Sequence, residues 1–163
     1  MIRKISAFIL LLACVFSITS CAILPVYDGD DLIAILKDNG YEIDEVYENV
    51  QEGITGYIHG FNAETGDEIY YIYCENIRSG KSVYDYVNSK QKARIAELKM
   101  EIEKIEYALY KAEDVSAAEK GDYYEQYVLK TEELEDVQSF TCGHVMNVVW
   151  YGTKSAVKII RKG

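Results

Sequence analysis

The longest periodic stretch of the chain runs from Val83 to Glu113. Within it Ile95, Leu98, Ile102, Ile105, Leu109 and Ala112 recur at alternating spacings of three and four. That spacing lays one apolar stripe along one side of a helix, as in a heptad seam. No Gly or Pro interrupts it, and Lys99, Glu101, Glu103 and Lys104 fill the other sides. A helix over these positions would be about 46 Å long, beyond the ordinary globular range. Ser116-Ala117-Ala118-Glu119 has capping-box spacing and predicts a second helix. Along it Tyr123, Tyr127, Leu134 and Val137 continue a seam, with Lys130 a flaw in it. Together the two predict an antiparallel helical hairpin over about 80–138, turning near Asp114–Ser116. The seam covers under three heptads, too short for an independent coiled-coil dimer.

Strand patterns flank the hairpin. Glu42–Tyr47 reads as a weak strand, and Ile54–Phe61 and Glu68–Cys74 are rich in Ile and Tyr. Asn62-Ala63-Glu64-Thr65-Gly66-Asp67 between the last two supplies turn chemistry, so they predict a β-hairpin. Alternation puts Ile69, Tyr71 and Tyr73 on one face and Tyr70, Ile72 and Cys74 on the other. After the arm, His144, Met146, Val148 and Trp150 alternate with Val145, Asn147, Val149 and Tyr151 and read as one strand, ended by Gly152. Thr153 can cap a last short helix, Lys154–Arg161. A first short helix is expected over Asp31–Asn39, capped by Asp30 or Asp31 and ended by Gly40. The halves flanking the arm are each too small to bury a core alone, so they must share a sheet. The expected fold is α+β: a small antiparallel or mixed sheet packed by helices, with a long helical hairpin inserted before the last strand.

The N-terminus carries a different pattern. Arg3 and Lys4 precede an apolar run from Ile5 to Ile18, and Ile18-Thr19-Ser20-Cys21 follows. A basic start, a short apolar core and small residues before a cut make a secretory signal. The tetrapeptide resembles the bacterial lipobox, which implies diacylglyceryl transfer to the Cys21 thiol and cleavage between Ser20 and Cys21. A plain signal peptide or an uncleaved membrane helix is the alternative, the latter since Ile5–Leu24 is about one bilayer span. A spanning helix, however, has no need of a Cys behind two small residues. The organisation expected is a signal over 1–20, a lipid-anchored tether over 21–30 and a single domain over 31–163. The resemblance places the protein on the extracytoplasmic face of a cell membrane, where two acyl chains anchor durably.

Composition narrows the function classes. The chain has 163 residues, with 17 Lys and Arg against 27 Asp and Glu, a net charge of −10. Without Arg3 and Lys4 the body stands at −12. Nucleic-acid binding is disfavoured, because phosphate recognition needs clustered positive charge. An anionic lipid surface would repel such a body, so the expected molecule hangs from its lipid and stands off the membrane. The hydrophobic fraction, 49%, argues against wholesale disorder.

The candidate chemistry is sparse. With Cys14 in the signal and Cys21 lipidated, Cys74 and Cys142 remain; they could form a disulfide or be two buried thiols. A catalytic thiol with His59 or His144 lacks any surrounding signature, and a zinc site from these four residues lacks ligand spacing. Asp28, Asp30 and Asp31 faintly suggest calcium but lack the Gly and terminal Glu of an EF-hand loop. Ser79-Gly80-Lys81-Ser82 follows a strand and opens a helix, yet Glu75 stands where a P-loop needs its first Gly and would repel phosphate. Ser79 as a helix N-cap is the simpler expectation. Thr153 and the amides after it could hold an anion, though capping is the commoner role. No cofactor motif is present.

Tyrosine is the remaining hint: there are 15. Tyr57, Tyr70, Tyr71 and Tyr73 could make a ring platform on the sheet, and Tyr123, Tyr124 and Tyr127 could line the arm, since Tyr suits contact surfaces. The block Gly143–Ala156, with Val148-Val149-Trp150-Tyr151-Gly152-Thr153 at its centre, resembles the ending of small uncharacterised lipoproteins of Gram-positive gut bacteria. That resemblance implies an α+β domain closed by this strand after a helical hairpin. It brings no activity and no catalytic residues. The leading expectation is therefore a non-catalytic, lipid-anchored surface module acting through protein contacts of the arm. A binder of a small ligand or glycan through a Tyr-rich sheet face is the alternative, and an enzyme the third.

Overall fold

The computed structural model describes residues 26–112 and 115–161. The signal, the lipobox with Cys21 and the tip of the arm at 113–114 lie outside the described residues. The element order is α1 (Gly29–Asp38), β1 (Glu42–Gln51), β2 (Ile54–Asn62), β3 (Asp67–Cys74), α2 (Ile77–Tyr110), α3 (Ala117–Ser139), β4 (Phe140–Val145), β5 (Val148–Thr153) and α4 (Lys154–Ile160). The five strands form one sheet in the order β1-β2-β3-β5-β4, antiparallel throughout. The fold is α+β, and the chain leaves the sheet after β3, makes the helical hairpin and returns at its far edge.

One face of the sheet carries the core. Register sets Ile58 opposite Tyr71 and Tyr71 opposite Trp150, while Ile69 lies opposite Gly152 and Tyr73 opposite Val148. Leu32 and Leu36 of α1 and Ala156, Val157 and Ile160 of α4 close over this face. Leu32 and Leu36, four apart, make one helical side and are fully buried. Trp150 fits flat over β4 because the residue directly opposite, Gly143, has no side chain; a Cβ there would fall inside the indole.

The segment expected to be a free tether is already part of this face at its end. The Tyr27 hydroxyl donates to the Ile160 carbonyl at 2.9 Å, its backbone N–H donates to the Tyr71 hydroxyl at 3.1 Å, and the Tyr73 hydroxyl donates to the Tyr27 carbonyl at 3.1 Å. Any tether therefore ends before Tyr27. Asp28, and not Asp30 or Asp31, caps α1, accepting from the Asp31 N–H at 2.9 Å.

Two further expectations are corrected. The C-terminal strand is a β-hairpin: Met146, at φ 51°, turns the chain between β4 and β5. Its turn lacks the Asn-Gly or Asp-Gly signal, so alternation alone ran the two strands together. The long helix begins at Ile77 with Asn76 as N-cap, whose side chain accepts from the Ser79 N–H at 3.0 Å. Ser79 lies inside the first turn. Gly80 has a packing reason instead, because a Cβ there would stand 3.0 Å from the Met146 carbonyl oxygen.

The arm follows its seam. Leu98 and Ile105 are buried, and Ile95, Ile102, Leu109 and Ala112 are half-buried along the same stripe. Ser116 and Glu119 form a complete capping box at the start of α3. Lys130, the flaw in the seam, reaches Glu101 across the hairpin at 3.0 Å. Glu133 meets Arg94 of α2, which also holds Glu97 at 2.6 Å. The Arg94 guanidinium holds the Glu133 carboxyl below the usual carboxylate range, and Glu101 raises Lys130. Pairs this open to water stabilise little. Their effect is registry, since one slip along the hairpin would separate them.

Candidate functional site

Two faces stand out once the core face is closed: the second face of the sheet and the outside of the arm. On the second face register aligns His59 with Tyr70, Tyr70 with Tyr151 and Tyr151 with Cys142, and one residue row over it aligns Tyr57, Ile72, Val149 and His144. The His59 ring stacks on Tyr70 with centroids 4.2 Å apart and planes 6° apart. Its Nε2 lies 2.8 Å from a Glu68 carboxylate oxygen. Phe140 stacks on Tyr151 at 4.9 Å, and Tyr57 lies 6.4 Å from Tyr70. The base of α2 covers the other end of this face, with Tyr84 against His144 at 4.7 Å and Val149 fully buried.

The four tyrosines proposed as one platform do not share a surface. Tyr71 and Tyr73 belong to the core face, where their rings meet edge to face and burial raises both phenols. Tyr57 and Tyr70 remain on the second face, where His59, Tyr151 and Phe140 join them. Those partners were legible in part: once the turn over 62–67 is accepted, counting back from it sets His59 against Tyr70.

Cys74 and Cys142 are free thiols. Both point to the second face, but Cys142 is opposite Tyr151 on β5, whereas Cys74 bonds to Asn147, on the opposite flank of β5 and four residues away. That is about 13 Å along the strand, far beyond the reach of a disulfide. Burial pushes both thiols up; nearby Lys92 lowers Cys142 in part. Alkylation of the native protein is accordingly expected at Cys142, half-exposed beside Gln91, and to accelerate above the ordinary thiol range. Cys74, 1% exposed, should label only on unfolding. Mass mapping of a timed alkylation series checks this, and equal labelling of both thiols in the folded state would contradict the packing described.

His59 on β2 and His144 on β4 are separated by β3 and β5, the first paired with Glu68 and the second exposed. Among the described residues no three His, Cys, Asp or Glu side chains converge to hold a metal. Thr153 caps α4 at the Ala156 N–H, 3.3 Å away, and donates to Asp67 at 2.6 Å. The polar hollow beside it is lined by both Asp67 and Asp136. Two carboxylates make it a poor home for an anion, so the capping role stands.

The outside of the arm has a distinct character. Met100, Tyr107 and Tyr110 are 57%, 61% and 74% exposed. Their spacing of seven and three sets them on the side of α2 turned away from the seam. Tyr124 and Leu129 are likewise exposed on α3. The two helices also differ in charge: α2 carries seven basic and five acidic residues, α3 two basic and seven acidic.

No family model, curated protein or solved structure matches the chain. Among the described residues no helix is long and apolar enough to cross a membrane.

Proposed function

We propose that the protein is a non-catalytic module, held by a lipid on Cys21 at the extracytoplasmic face of the cell membrane, that works through protein contacts made by its helical arm. The observation that carries this reading is the separation of arm and core. Every residue of the main apolar cluster comes from α1, the β1 entry, β2, β3, β5 or α4. The distal arm contributes none of them, yet it presents Met100, Tyr107 and Tyr110 to solvent. Large aromatic and Met side chains are the residue types enriched at protein interfaces. Crosslinking on intact cells from the outer side of α2 tests the contact. A captured neighbour that disappears when Met100, Tyr107 and Tyr110 are all changed to Ser supports it, and unchanged capture counts against it.

Anchoring has its own test. The lipobox reading expects Cys21→Ala to release the chain to the medium or to block its maturation, followed by fractionation and mass analysis of the N-terminus. A variant that partitions with the membrane as before, with the same processed end, refutes lipid attachment at that residue.

The second reading, a glycan or small-ligand surface, is supported by the half-exposed rings of Tyr57, Tyr70 and Tyr151 on the second face, with stacked His59 and Phe140. Flat rings on a sheet suit sugar faces. Loss of oligosaccharide retention in Tyr70→Ala, with the arm variant unaffected, would favour it over arm contact.

A further inference from the structure

The two edges of the sheet are guarded unequally, and we propose that the β4 edge is a strand-addition site for an extended, basic segment of another polypeptide. Exposed edges offer unpaired backbone groups, and proteins blunt them with charge, proline or bulges. The β1 edge is blunted in this way. Its pairing with β2 breaks register between Ile43 and Glu45 and again between Glu48 and Gln51, and its sequence carries Glu42, Asp44, Glu45 and Glu48. The β4 edge has none of these devices. Phe140-Thr141-Cys142-Gly143-His144-Val145 contains no Asp, Glu, Lys, Arg or Pro, and it pairs with β5 without an irregularity.

The alternation of hydrogen bonds tells which groups stand on the rim. The Asn147 carbonyl accepts from the Cys74 N–H, so position 147 turns toward β3. Positions 148, 150 and 152 of β5 then turn toward β4, and their partners Val145, Gly143 and Thr141 turn inward. Phe140, Cys142 and His144 are left facing out. The Phe140 carbonyl agrees, because it accepts from the Gln91 side chain at 3.0 Å. Among the described residues no backbone group outside β5 pairs with Cys142 or His144. His144 is exposed, so an incoming backbone can reach that rim.

Charge selects the occupant. α3 runs directly into β4, and Glu132, Glu135 and Asp136 are exposed in the eight residues before Phe140. A Lys- or Arg-bearing strand gains from these carboxylates, and encounter is faster between opposite charges. A second copy of this chain would bring another −10 and the same acidic helix to the seam. The site therefore fits a foreign basic segment better than self-pairing, and the recognition mode is β-augmentation. It is separate from the outer face of the arm, so either surface can fail without the other.

The test follows backbone amide exchange at Cys142 and His144 by NMR in the full chain, titrated with a short alternating Thr/Lys peptide and with its Thr/Glu counterpart. Both amides should exchange fast alone and become protected by the Lys peptide, with affinity at least about tenfold weaker for the Glu peptide. His144→Pro removes an outward N–H, a change an edge position tolerates, and should weaken the Lys peptide by about tenfold. No protection by either peptide overturns the proposal. Equal protection by both overturns the assignment of a basic partner, and protection that grows with protein concentration alone gives the edge to a second copy. If His144→Pro does not melt cooperatively, amide protection in the unaltered chain decides.

Discussion

Gly152→Ala is expected to destabilise the protein by about 3 kcal/mol, a large share of the stability of a domain this size. Gly152 sits on β5 between Ile69 of β3 and Thr141 of β4. A Cβ there would lie 2.6 Å from the Glu68 carbonyl oxygen and 2.9 Å from the Ile69 Cα. Both obstacles are backbone in the middle of a sheet, so neither can rotate away as a side chain would. Relief requires β3 and β5 to separate, and that opens the packing of Ile69, Tyr71 and Trp150 beneath α1 and α4. Gly121→Ala supplies the control. It lies in α3, its Cβ would meet nothing within 4 Å, and Ala is the better helix former. Urea melts of the two variants should move in opposite directions from the parent. Equal midpoints would show that the close approach of β3 to β5 is not as described.

Replacing Ile95–Leu134 by a short Gly/Ser turn should leave a body that still melts cooperatively, with any partner capture through the arm abolished. The cut is placed beyond Gln91 for a physical reason. Its side-chain amide donates to the carbonyls of Val137 and Phe140, at 3.1 and 3.0 Å, and so closes the end of α3 where the strand begins. Gly80 and Tyr84 also stay, since they seat the base of α2 on the β4–β5 turn and on His144. What is removed, Leu98 and Ile105 with their α3 partners and the Arg94–Glu133 and Lys130–Glu101 pairs, contributes to the arm alone. The antiparallel helices end side by side at the cut, about 8–10 Å apart, so a short turn can span them. Broad or non-cooperative melting would show that the arm completes the core, and the case for an arm dedicated to contacts would fall with it.

The elements whose code is local can be read from the residues alone. The arm was readable because a stripe at three- and four-residue spacing needs only one helix and one partner, and Ser116 and Glu119 mark the start of the second helix through groups three residues apart. The hairpin over 54–74 was readable because Asn62 and Gly66 make the turn, with the Asn62 side chain accepting from the Glu64 and Thr65 N–H groups and Gly66 at φ 71°. The rest depends on how distant segments pack. Alternation says that Tyr70 and Tyr71 part company, but it cannot say which face α1 and α4 will cover, so it could not tell platform from core. The β4–β5 turn was hidden because Met146 takes a left-handed conformation that its side chain does not advertise; the Asn147 carbonyl and side-chain amide, both bonded to the Cys74 backbone, hold the turn there. Whether Cys74 and Cys142 could meet depended on strand order, with β5 arriving between β3 and β4 from across the arm. Such long-range placement is set by the burial of many side chains at once, which no local stretch of residues encodes.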